Sequence, residues 1–476
     1  WDIKMRRNNL ILIFGGLFFL LALFFALYFY MERSMGDTGW RAYYIINTKH
    51  FCPSHCRYIL ILNQIPTLLG VFLELSLKTI LKLHSAGSVL FFAFMFGLSY
   101  RSFKNKHLSL AIVLSYVLGI GGFYFIFPDL EKHLAAPLMI YLGFHLKYSE
   151  LKEWKRFLIS LPLFFFMALS HPMVLIPLAM LVTIFIIDSK KRISLIYLLA
   201  FIFFVGLQIS TKDSYESVKI LELFDQGYWQ ANIAYFTDLI IGRPLFFILV
   251  AFVSYLLVIN KKVIVLFVYF GGFVVYCFVV VFFVPQAHHY PYLIPFTSLS
   301  IYLCFIELDN DRFSLHVRKY GLYIFSIVLL IEIVHIARFK NIHDTTITSY
   351  TGIAKEAISQ NQNRIVLDEL PLGSSSFSVS ESVLISNLLF KSTVVIVGYK
   401  NSEERRLGIN HYLLDYNSEI IMGQDERSLV LIEGLYNEDD FTKDNQMWFL
   451  NKLNRRYFSL PKGNFVFYES LQIGAK

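Results

Sequence analysis

The stretch from Leu10 to Tyr30, LILIFGGLFFLLALFFALYFY, runs straight into Met31-Glu32-Arg33-Ser34-Met35-Gly36-Asp37-Thr38-Gly39-Trp40-Arg41. The first segment carries no charge, and about 20 apolar residues suffice for a helix to cross a bilayer. The basic cluster Lys4, Arg6 and Arg7 fixes its start on the cytoplasmic side. Asp37 therefore emerges just beyond the far face. The segment is long and lacks a small-residue cleavage site, so it reads as a retained anchor rather than a signal peptide.

Composition extends this reading to the rest of the chain. Of 476 residues, 56% are hydrophobic, 17% aromatic and only 16% charged, with a mean hydropathy of +0.54. Such a makeup excludes an ordinary soluble domain and points to a multi-spanning membrane protein. The net charge of +8 does not signal nucleic acid, because Lys and Arg fall largely in short loops between apolar runs.

Placing those basic loops inside gives one consistent path. Residues 86–100 run inward to Arg101 and Lys104, 108–127 outward to Pro128-Asp129, and 134–146 inward to Lys147 and Lys152. The long run 157–187 is divided by Ser170-His171-Pro172, because proline disfavours helix at the residue before it. Two short helices are expected to meet at His171. Further segments follow at 193–210, 244–259, 263–284, 292–306 and 320–337, for about eleven spans. Between them, 211–243 is a polar outside stretch and 286–291 an outside turn.

Residues 58–82 carry Asn63, Thr67, Gly70, Glu74, Lys78 and Lys82 at helical spacing, a polar stripe expected on one in-plane helix. A span here would reverse every later segment and push the basic loops outside; the bland alternative is a span whose stripe faces other helices.

From residue 338 the composition becomes that of a soluble domain. Apolar, β-branched runs at 364–367, 393–397, 429–432 and 465–468 alternate with helix-like segments around 350–360, 381–390 and 443–455. That alternation predicts a small α/β domain with a largely parallel sheet. The expected architecture is a polytopic α-helical membrane domain, 1–337, followed by an extracytoplasmic α/β domain, 338–476.

Four cysteines are present. Cys277 and Cys304 read as small apolar core residues, whereas Cys52 and Cys56 are compatible with a disulfide or with free thiols. No familiar zinc spacing surrounds them. The residues call for no cofactor, and a metal requirement stays open.

Ionisable groups gather on the expected outside face: Asp37, Arg41, His171, Asp225, Arg243, His288 and His289. A carboxylate opposite cations can take a proton from a hydroxyl nucleophile while the cations stabilise a phosphate leaving group. Each residue also has a structural reading. Asp37 suits a helix N-cap, His171 a hydrogen-bonded helix end, Arg243 a helix anchor, and Tyr290 an aromatic belt.

The order of elements resembles the GT-C class of integral-membrane glycosyltransferases, which includes protein mannosyltransferases and the lipid A aminoarabinose transferase type. The resemblance lies in a first span followed at once by an acidic loop, an interfacial segment with Pro66, paired short helices at His171-Pro172, and His288-His289-Tyr290-Pro291-Tyr292-Leu293-Ile294-Pro295 leading into a late span. It implies that Asp37 is the catalytic base, that His289-Tyr290 and Pro295 lie near a lipid phosphate, and that the donor is a polyprenyl-phosphate sugar. Many members carry adjacent acids where this chain has Asp37-Thr38. A second carboxylate is then expected from the 211–243 stretch, with Asp225 the choice. A bacterial inner membrane is the expected location, with membrane lipids and envelope proteins as partners. A scaffold that kept the fold and lost activity is the alternative. A transporter ranks third, since no inverted repeat is apparent.

Overall fold

The structure is a computed structural model, and it describes residues 2–120, 128–189, 193–211, 244–283, 289–308, 344–367, 378–398, 456–458 and 466–468. Helix dominates. In chain order the elements of the bundle are α1 (Asp2–Tyr28), α2 (Gly36–Thr48), α3 (Leu60–Phe72), α4 (Leu77–Ser102), α5 (Leu110–Ile120), α6 (Glu131–Tyr148), α7 (Glu153–Ala168), α8 (Leu175–Ser189), α9 (Ile193–Ser210), α10 (Pro244–Ile259), α11 (Val263–Phe283) and α12 (His289–Leu308).

Asn9–Tyr28, Leu77–Ser102 and Val263–Val281 are long and apolar enough to cross a membrane. Their environments differ. The α4 window is 61% buried, whereas those of α1 and α11 are 22% and 28% buried, so α4 is interior and the other two are peripheral. Leu17, Leu20 and Phe24 on α1, and Ile264, Phe267 and Phe270 on α11, stay exposed. A continuous apolar face of that kind suits lipid rather than water.

The bundle is organised around α6, which is buried along its whole length from Glu131 to Leu146. It packs against α4, α5, α7 and α12. Ion pairs mark the end of the bundle where α6 and α12 finish: Lys147 with Asp188 at 3.1 Å, Lys262 with Glu307 at 2.7 Å, and Lys104 with Glu150. Ionisable groups are costly within an apolar bundle and collect at its ends.

Two sequence expectations are adjusted. Residues 58–82 form not one helix but parts of two, because Glu74 takes a left-handed φ of 55° and Ser76 caps Thr79 N at 3.2 Å. The polar stripe divides accordingly: Asn63 and Thr67 are buried, while Glu74 and Lys78 are exposed. Helix α4 therefore begins at Leu77, well before residue 86. A side chain at Gly87 would collide with the backbone of Asn63, so glycine lets α3 and α4 touch there. The long run 157–187 breaks at His171, which is extended (φ −151°, ψ 139°) ahead of a short 3-10 turn, Pro172–Val174.

Beyond the bundle, residues 344–359 form a helix, α13, and Ser378–Phe390 form α14. Strands β1 (Arg364–Leu367), β2 (Val395–Gly398) and β3 (Val466–Tyr468) make a parallel sheet in the order β2-β1-β3. Met35 is buried with Tyr350, Ile365, Ile385 and Ile396. Tyr43 and Ile46 of α2 are buried with Val383, Leu384 and Phe458. The C-terminal residues thus sit directly on α2. The expected strand at 429–432, helix at 443–455 and span at 320–337 lie outside the described residues.

Candidate functional site

Helix α2 opens at Gly36, whose φ of 61° suits glycine. Asp37 is not its cap: Met35 holds that position without a side-chain bond. The Gly36 N–H instead donates to Glu381 Oε1 of α14 at 2.6 Å. Asp37 is left in the first turn with its side chain 54% exposed. A carboxylate is favoured at that end of a helix.

One turn on, Arg41 is buried, and its Nη2 lies 3.7 Å from Asp37 Oδ2. Its shorter bonds go elsewhere. Arg41 Nη1 donates to the Asp129 carbonyl at 3.1 Å, and Nε to Ser54 Oγ at 3.2 Å. Asp129 itself is fully buried ahead of α6. Its Oδ1 accepts from Asn63 Nδ2, and its Oδ2 stands 3.2 Å from His84 Nε2. That ring nitrogen is also 3.1 Å from the Thr38 carbonyl. Both neighbours are acceptors, so the partners assign the proton to Nε2. Nδ1 then faces Thr67 Oγ1 at 2.9 Å.

Burial alone would raise the Asp129 carboxyl, yet His84, Arg41 and Asn63 together hold it below its ordinary value. Glu131 follows the same logic: burial opposes ionisation, but Arg57, Lys132 and Arg41 bring it to about 2. Arg57 and Glu131 form a direct ion pair. Lys132 is drawn down to about 8, by burial first, with Glu131 opposing. Below this layer Arg33 is buried, donating from Nε to Ser85 Oγ at 2.8 Å and from Nη2 to Ser88 Oγ at 3.2 Å.

On the α6–α12 side, Lys132 Nζ lies over the Tyr292 ring at 4.1 Å, and the His171 ring meets Tyr292 edge-on at 5.0 Å. His171 Nδ1 also accepts from Met173 N at 3.2 Å. His289 and Tyr290 are the first two residues of α12, one short step from Tyr292. Asp37, Arg41, His171 and the start of α12 thus come to one end of the bundle. Asp225, Arg243 and His288 lie outside the described residues.

The carboxylates that join Asp37 beside Arg41 are Asp129 and Glu131; the sequence reading names Asp129 alone, as the outer end of a span, and gives it no role. Three ionisable residues within Asp129-Leu130-Glu131-Lys132, set between apolar runs, were the available signal. His84 and Asn63 gave little sign, since a single polar residue on a helix is commonplace. Chemically, Asp129 and Glu131 are committed to ion pairs, and Asp37 is the accessible acid of the group.

No disulfide joins Cys52 and Cys56. Cys52 is buried, and burial pushes its thiol up to about 12. Its backbone is clasped by Gln64, which accepts from Cys52 N at 2.9 Å and donates to Cys52 O at 3.0 Å. Among the described residues, no three His, Cys, Asp or Glu side chains are grouped to hold a metal ion. No protein-family model matches the chain, and comparison with curated proteins and with solved structures yields no match.

Proposed function

We propose that the chain is an inverting glycosyltransferase that moves a sugar from a polyprenyl-phosphate donor to an acceptor hydroxyl on the extracytoplasmic face of a bacterial inner membrane. The observation that carries this reading is the accessible Asp37, held on a short helix directly after the first long apolar segment and backed by the buried Arg41–Asp129–His84 network. In the reaction, Asp37 takes the acceptor's hydroxyl proton and the oxygen attacks the anomeric carbon. The bond from that carbon to the phosphate oxygen breaks, and the lipid phosphate leaves with its electron pair. Arg243, with His288 or His289, steadies that phosphate. On this reading about eleven helices cross the membrane. Residues 338–476 form an α/β domain covering the outside face, consistent with the parallel sheet β2-β1-β3 and its flanking helices.

Asp37→Asn tests it. In proteoliposomes supplied with polyprenyl-phosphate sugars, the variant loses donor consumption while retaining lipid binding; unchanged turnover would remove Asp37 as the base. A second reading, a scaffold without activity, draws on Thr38 beside Asp37 and on the pairing of Asp129 and Glu131, which leaves Asp37 as the accessible carboxylate among these acids. Fixed-stoichiometry copurification with envelope proteins, together with no donor consumption by the unaltered chain, would favour it.

A further inference from the structure

Lys132 is buried to 5% exposure in the first turn of α6. Two features of its position are unfavourable within the chain. Among the described residues its ammonium makes no hydrogen bond or ion pair, and it lies over the face of Tyr292 at 4.1 Å. Removing a cation from water without acceptors for its three N–H groups is costly. It also sits at the helix end where the macrodipole disfavours positive charge.

Among the described residues none of the surrounding carboxylates pairs with it directly. Arg57 is committed to Glu131, and Arg41 to Asp129 and Ser54. Arg41, Arg57 and Lys132 are three cations among the buried carboxylates Asp129 and Glu131 and the half-exposed Asp37, and Lys132 feels Glu131, Arg57, Asp37 and Arg41 at longer range. An anion bound there would complete the ammonium's hydrogen bonds and occupy the favourable end of α6.

We infer that Lys132, roofed by Tyr292, is the anchor of a binding site for a phosphate monoester. The charge and geometry argue for the phosphate; that it arrives on a polyprenyl chain rests on the donor reading above. Lys132 donates to the phosphate oxygens, Tyr292 and His171 wall the site on the α12 side, and Asp37 stands at its edge. The departing phosphate is then held by a residue of α6, in addition to groups near the start of α12.

Binding to the full chain in detergent, read by calorimetry, tests this with three probes: farnesyl phosphate, inorganic phosphate and farnesol. Farnesyl phosphate is expected to bind and farnesol not to, with Lys132→Met weakening farnesyl phosphate at least about ten-fold, the loss of one charge-assisted contact. Methionine matches the lysine stem and removes a buried ammonium that has no hydrogen-bond partner among the described residues, so the variant is expected to fold. A second readout is pH. Lys132 has its value lowered to about 8, so its charge is lost as pH rises through that value, and affinity falls there in the unaltered chain but not in Lys132→Met. Equal affinity of both chains for farnesyl phosphate overturns the assignment and leaves the donor reading standing. Lys132-dependent binding of inorganic phosphate, with no gain from the farnesyl chain, upholds the anion site and removes the lipid donor. No binding of either phosphate overturns the site.

Discussion

Glu381 of α14 accepts a 2.6 Å hydrogen bond from the backbone N–H of Gly36, 345 residues earlier in the chain, and so caps the helix that carries Asp37. A carboxylate doing this work satisfies an orphan donor and complements the dipole. Glu381→Ala is expected to cost about 1–2 kcal/mol, as cap removal does. Donor turnover should fall with it, while Glu381→Gln, which keeps an acceptor, loses less. Equal melting temperatures and turnover for all three chains would show that the contact does not position α2.

The Asp129 carboxylate holds His84, Asn63 and Arg41 in one buried network. Removing one partner of a buried charge pair strands the others, at about 3–5 kcal/mol. Asp129→Ala should therefore lower the melting temperature in detergent far more than Asp37→Asn, whose side chain is half exposed. A melting temperature for Asp129→Ala within a degree of the unaltered chain would refute the network's role.

Glu131 supplies a pH dependence. Despite burial, Arg57, Lys132 and Arg41 hold it at about 2, below the value of about 4.3 for an unfolded chain. A carboxylate depressed on folding contributes stability that is full above the unfolded value and lost as pH falls toward the folded one. The contribution is roughly 3 kcal/mol at neutral pH, fading between about pH 5 and pH 2. Glu131→Gln should lower stability at pH 7 and flatten the acid limb; a profile parallel to that of the unaltered chain would contradict it.

Gly87 is a steric test. Any side chain there meets the Asn63 backbone, so Gly87→Val must push α3 from α4 and misalign Asn63 against Asp129. A loss of at least about 2 kcal/mol is expected, in the range of overpacked contacts. Gly97, with open space around its added Cβ, should tolerate alanine far better.

How much of this was legible in the sequence follows from the range of the forces involved. The apolar run Leu10–Tyr30 and the break at His171-Pro172 are local features, and the structure has a helix through the first, ending at Tyr28, and the break at the second. The turn at Glu74 was not legible, since a left-handed glutamate is fixed by its neighbours rather than by its own preference. Asp37 and Arg41 were readable because they follow a long apolar segment. His84, Asn63 and Glu381 were not: each matters through a partner far away in the chain, and nothing in its own surroundings marks it.

Met35 belongs to two assemblies at once. It leads into α2, and it is buried among Tyr350, Ile365, Val394 and Ile396. During synthesis, then, the start of α2, which bears Asp37, emerges early but cannot settle against its partners until residues near 350–396 have been made. Long-range contacts of this kind form late. The site is therefore one of the last parts of the molecule to mature, and a nascent chain stalled short of α14 carries the start of α2 without its Glu381 cap.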